Sequence, residues 1–133
     1  SAPDDELLRL AASGGLRKSL RAQVVRMIGD GKGWAMTENF AGQWLQLRDV
    51  DLAAPSQRLF PQFTSAIAYA MKQESQFYFD HIYRGNRSVL EFLDSDYTFA
   101  NDRLASYYGL PAQVKGKGDA TGIALVEIYE VNK

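Results

Sequence analysis

Apolar residues recur at helical spacing along most of this chain, and the breaks between the runs are marked by glycine, proline and aspartate. Leu7, Leu8, Leu10 and Ala11 predict a short first helix within residues 1–15. Pro3 suits its first turn, Asp4, Asp5 and Glu6 complement the helix dipole, and Gly14-Gly15 stops it. Leu16, Leu20, Val24, Met27 and Ile28 predict a second helix over 17–28, ended by the run Gly29-Asp30-Gly31-Lys32-Gly33. A third helix is predicted over 34–47, with Phe40, Trp44 and Leu47 forming a buried ridge at i, i+4 and i+7. The amides of Asn39, Gln43 and Gln46 lie close to that ridge, where hydrogen bonds to backbone would satisfy them. The fourth and longest helix, about 62–84, carries the stripe Phe63, Ile67, Ala70, Met71, Phe77, Tyr78 and Ile82. Glu74 and His81 interrupt it.

Residues 88–111 read as two short helices around an acidic corner. Ser88-Val89-Leu90-Glu91 fits a capping box, with Leu90, Phe92 and Leu93 facing inward. Asp94-Ser95-Asp96 makes the corner, and Thr98 can cap a helix over 99–108 whose inner face is Ala100, Leu104, Tyr107 and Tyr108. Gly109 terminates it. Beyond Pro111 the texture changes to a strand-like 112–114, a glycine-rich 116–122 and a β-rich 123–131. The fold class expected is therefore mainly α: a bundle-like domain of five to six helices over 1–111, with a C-terminal β-hairpin in 112–133. That tail is either laid on the helices or part of a separate β-module.

Composition narrows the function classes. The 133 residues suit one ordinary domain, and 46% hydrophobic content is that of a folded globule. Fifteen basic against sixteen acidic residues give a net charge of −1, which argues against a nucleic-acid partner. The absence of cysteine excludes disulfides, a thiol nucleophile, cysteine-ligated zinc and covalent haem attachment within these residues. Apolar runs fall well short of the ~20 residues of a membrane span. The chain opens on Ser1 and is read as a fragment or a mature form.

Candidate chemistry centres on the fourth helix. Glu74, Tyr78 and His81 share a face, and a carboxylate among Met71, Phe77 and Tyr78 could act as a general acid or base. His81 lies about 10 Å further along, too far for the two to share one metal ion directly. The alternative is structural: Glu74 paired with a tryptophan, asparagine or arginine, and His81 tolerated near the helix end. Asp94 and Asp96 are the only evident metal-ligating pair, which could hold calcium if backbone carbonyls converged there, and could equally cap helices. Trp44, Tyr97, Tyr107 and Tyr108 could line a ligand- or partner-binding cleft, or simply fill the core. The glycine run at 29–33 lacks the preceding strand and the Gly-Lys-Ser/Thr ending of a phosphate loop, and no serine triad is indicated.

Several uncommon words occur in unbroken order: ENFAGQWLQLRDVD at 38–51, LFPQF at 59–63 and RSVLEFLDSDYTFANDRLASYYGLP at 87–111, after PDDELLRLAASGGL at 3–16. Together they resemble a bacterial helical domain of uncharacterised function found in very large planctomycete-type proteins that also carry cytochrome-c-like modules. The resemblance covers 3–111; the tail AQVKGKGDATGIALVEIYEVNK resembles the closing hairpin of secreted β-sandwich modules. It implies an exported, extracytoplasmic parent whose haem sits in neighbouring domains, and it carries no catalytic residue to this chain. The expected role is a non-catalytic structural or interaction module whose partners are other domains of the same protein or a protein partner. The alternatives are a catalytic module acting on an extracellular polymer through Glu74, assisted by Asp94 or Asp96, and a docking surface for a haem protein.

Overall fold

The computed structural model describes residues 2–110 and the strand 124–127; the predicted strand at 112–114 and the glycine-rich turn lie outside the described residues. The chain is mainly helical and divides into two compact units, 1–34 and 35–133. In the first, α1 (Asp5–Ala12) starts two residues after Pro3, because Asp4 is the N-cap and its carboxylate accepts from the Leu7 amide at 3.0 Å. The same carboxylate accepts from Arg26 Nη1 at 2.7 Å, which ties α1 to α2 (Leu16–Gly29). Asp30 caps a single 3₁₀ turn at Gly31–Gly33, so the glycine run is an ordinary interhelical turn.

The second unit is organised around α5 (Ser65–Gly85), capped by Thr64 at one end and by left-handed Asn86 at the other. Its earlier half packs on α6 (Asp102–Tyr108) around Ile67, Ala70, Ala100, Leu104 and Ala105, with Phe63, Met71, Tyr107 and Leu110 against that core. Its later half meets β1 (Tyr97–Ala100), which pairs antiparallel with β2 (Ala124–Glu127), Thr98 opposite Val126. Of the β-rich part of the tail, the described residues 124–127 thus form a strand paired with β1.

Three sequence expectations need correction here. The predicted third helix is broken into α3 (Trp34–Met36), a π-helical turn (Thr37–Ala41) and α4 (Gly42–Trp44). The wider π turn shifts the phase of side chains that follow it, and left-handed Gln46 (φ 53°) then redirects the backbone. Leu47 is consequently buried, but Phe40 and Trp44 are about half exposed instead of forming a buried ridge. Second, 88–93 is a 3₁₀ turn (Val89–Phe92) in which Ser88 accepts from the Leu90 amide; Glu91 bonds Arg87 and Tyr97 rather than closing a capping box, and Leu90 and Leu93 face solvent. Third, Thr98 lies in β1 and Asn101 caps α6, accepting from the Leu104 amide at 2.9 Å.

Candidate cleft at Glu74

Halfway along α5 the packing opens into a cleft of about 450 Å³. Trp44, from the end of α4, lines it together with Leu45, Tyr78, Phe92 and Leu93. The Trp44 and Phe92 rings meet edge to face at 6.0 Å, and Phe92 meets Tyr78 the same way at 5.9 Å. Tyr78 is held in turn by its hydroxyl, which donates to the Glu91 carbonyl and lies 2.5 Å from Ser95 Oγ. The polar side of the cleft is Glu74, Ser75 and Thr98.

Glu74 is half-buried and accepts two hydroxyl hydrogen bonds, one on each oxygen: Thr98 donates to Oε1, and Tyr108 donates to Oε2 at 2.8 Å. Desolvation, then the bond to Glu74, pushes the Tyr108 hydroxyl well above the ordinary phenol range. A second acidic cluster lies behind the aromatic wall. Tyr97 is buried and donates to Glu91 Oε2 at 2.6 Å, and Arg87 Nε reaches the same oxygen at 2.7 Å. The Tyr97 hydroxyl bond and the guanidinium hold Glu91 below the usual carboxylate range, while burial and that bond push Tyr97 up to about 12. Arg87 also lies over the Tyr97 ring, 5.5 Å from its centroid, and its own pKa is raised by Glu91.

The residues singled out from sequence are not gathered into one place. Glu74 lines the cleft, but its partners are two hydroxyls and not the tryptophan, asparagine or arginine expected. His81 lies away from it, packed on the rings of Tyr97 (5.3 Å) and Phe99 (5.4 Å). Asp94 and Asp96 are exposed on the corner, and no group of three or more His, Asp or Glu among the described residues could hold a metal ion. Of the aromatic set, Trp44 lines the cleft, Tyr108 reaches it through Glu74, Tyr97 is buried behind it, and Tyr107 packs on the core. Sequence reading missed Thr98 and Phe92 as cleft residues. Thr98, expected to cap a helix, lies in β1, and Phe92, expected to face inward from a helix, faces the cleft from a 3₁₀ turn; only the β-branched, aromatic composition of Tyr97-Thr98-Phe99 hinted at a strand.

No helix among the described residues is long and apolar enough to cross a membrane. No curated protein and no solved structure matches the chain. A family model described as "PSD4: Protein of unknown function (DUF1592)" matches residues 1–110, from before α1 through the end of α6, and the chain belongs to that family.

Proposed function

We propose that the chain is a non-catalytic interaction module of a large exported, cytochrome-linked bacterial protein of planctomycete type. The observation that carries the interaction reading is the aromatic cleft at Glu74, whose wall leaves Trp44, Leu45 and Leu93 exposed at its lip. Exposed tryptophan and leucine around a preformed concavity are the anatomy of a contact surface. The exported, cytochrome-linked context rests on the sequence words quoted above. In that context haem belongs to neighbouring domains, since this chain has no cysteine for covalent attachment.

The catalytic reading draws on one observation, that Glu74 borders an open cleft. Acid–base cleavage of a polymer ordinarily pairs two carboxylates, and Glu74 is the sole carboxylate among the described residues lining it. The proposed helpers, Asp94 and Asp96, do not line the cleft. The test is to mix the purified chain with the neighbouring domains of its parent and follow association by sedimentation velocity. Association weakened about tenfold or more by Trp44→Ala is expected. Lack of association with any neighbouring domain, or a polymer-hydrolysing activity abolished by Glu74→Gln, would overturn the proposal.

A further inference from the structure

The second unit solves the same electrostatic problem twice in one way, and a third time in another. Asp80 accepts from the Thr37 hydroxyl at 2.8 Å and is paired with Arg84 Nε at 2.9 Å. Glu91 accepts from the Tyr97 hydroxyl and is paired with Arg87 at 2.7 Å. Each of these carboxylates, with side chains 17% and 22% exposed, has one hydroxyl and one guanidinium. Glu74 has two hydroxyls and forms no ion pair among the described residues. Where the guanidinium stands in the other two clusters, Glu74 has the open cleft.

We propose that this cleft receives an arginine side chain presented by a protein partner, and the proposal rests on the interaction reading above. A carboxylate offers about four lone-pair positions, so the two hydroxyl bonds leave each oxygen of Glu74 able to accept again. The removal of a carboxylate from water without a cation is costly, which makes an incoming positive charge favourable here. The walls select among cations. Trp44, Tyr78 and Phe92 offer ring faces and edges, on which a flat, weakly hydrated guanidinium packs better than a compact ammonium. The same chemistry is already present within the chain, where the Arg87 guanidinium bonds Glu91 and covers the Tyr97 ring.

The experiment is a ¹H–¹⁵N NMR titration of the full 133-residue chain at low salt with Nα-acetyl-arginine N-methylamide. The lysine and norleucine analogues run in parallel. Saturable shifts at the Trp44 indole and the Thr98 amide are expected, with a Kd on the order of 1 mM. Glu74→Gln should weaken binding about tenfold or more, the lysine analogue should bind more weakly, and norleucine should not saturate. Trp44→Ala, at a side chain more than half exposed and so tolerated by the fold, should cause a comparable loss and serves if Glu74→Gln fails to fold. The proposal is overturned by an absence of saturating shifts up to about 50 mM. It is equally overturned by equal binding of the lysine or norleucine analogue, or by a folded Glu74→Gln or Trp44→Ala variant of unchanged affinity. If neighbouring domains bind Glu74→Gln as well as the wild-type chain, the arginine site fails while the interaction module stands; if they bind neither, both readings fall.

Discussion

Leu104→Ala tests whether the α5–α6 contact is the structural centre of the second unit. Leu104 is fully buried, the largest fully buried side chain in the cluster formed with Ile67, Ala70, Ala100 and Ala105. Truncation removes three carbons, worth about 0.8 kcal/mol each in transfer alone, or about 2.4 kcal/mol. A cavity term adds to this, and its size depends on how far the neighbours can move in. Ala70, Ala100 and Ala105 have no rotamers with which to fill space, so any relaxation falls to Ile67 and to Phe63, Met71, Tyr107 and Leu110 at the margin. The expected loss is therefore about 3 kcal/mol, inside the range of about 2–5 kcal/mol measured for buried leucines. With a urea m-value of about 1.5 kcal/mol/M, the unfolding midpoint should drop by about 2 M at unchanged m. Leu93→Ala, at a side chain 88% exposed, is the control and should stay within about 0.5 kcal/mol. A Leu104→Ala loss below about 1 kcal/mol would refute the reasoning, because even the transfer term alone exceeds it.

Gln46 adopts φ 53° without being glycine or asparagine, so Gln46→Gly should stabilise the fold by about 0.5–1 kcal/mol, read as a raised urea midpoint. Asp4 both caps α1 and pairs with Arg26; Asp4→Ala should cost about 1 kcal/mol and reduce helical circular dichroism, whereas Asp4→Asn keeps the cap and should lose less. Glu91 has a depressed pKa, so its contribution is present above the ordinary carboxylate value of 4.5 and is lost as pH falls through its lower folded value. Urea midpoints from pH 6 down to about 2 should show that loss, and Glu91→Gln should remove its share of the slope. Tyr97 is raised from 10.0 to about 12, so its contribution is complete below pH 10 and disappears between 10 and about 12. Absorbance at 295 nm should show a tyrosine step at about pH 12 that Tyr97→Phe abolishes.

How much was legible follows from where each signal resides. The long helix α5 was readable because six apolar positions, from Ile67 to Ile82, keep one phase, a pattern that is local to the helix; its start, expected at about 62, is set instead by the Thr64 cap. The end of α6 at Gly109 was readable for the same reason: a left-handed terminator (φ 69°) is a local requirement. Thr98 and Phe99 misled because their assignment depends on a non-local partner. A four-residue strand is sustained by pairing with Ala124–Glu127, and nothing near Thr98 in the sequence announces that pairing. The π turn at Thr37–Ala41 was hidden for a related reason, since one wider turn barely alters composition yet turns Phe40 and Trp44 outward. Glu74 itself was visible as a polar break in an apolar stripe. Its two hydroxyl partners, 24 and 34 residues further on, were not.

The core and the cleft are not separable features, because α5 builds both and α6 ties one to the other. On α5, Ile67 and Ala70 face the core, and Glu74 and Tyr78 continue that face one and two turns later. On α6, Leu104 fills the core, and Tyr108, one turn further, donates to Glu74 at 2.8 Å. The spacing i, i+4 thus converts the seating of Leu104 into the position of the Tyr108 hydroxyl. Strand β1 supplies the other half of the constraint: Ala100 is fully buried in the core cluster while Thr98, two residues earlier on the same strand, bonds the other carboxylate oxygen. Each oxygen of Glu74 is therefore aimed by an element whose next same-face residue is locked in the core. A carboxylate held from both sides by rigid elements is preorganised, and the direction left to it is the open cleft that Trp44, Tyr78 and Phe92 line.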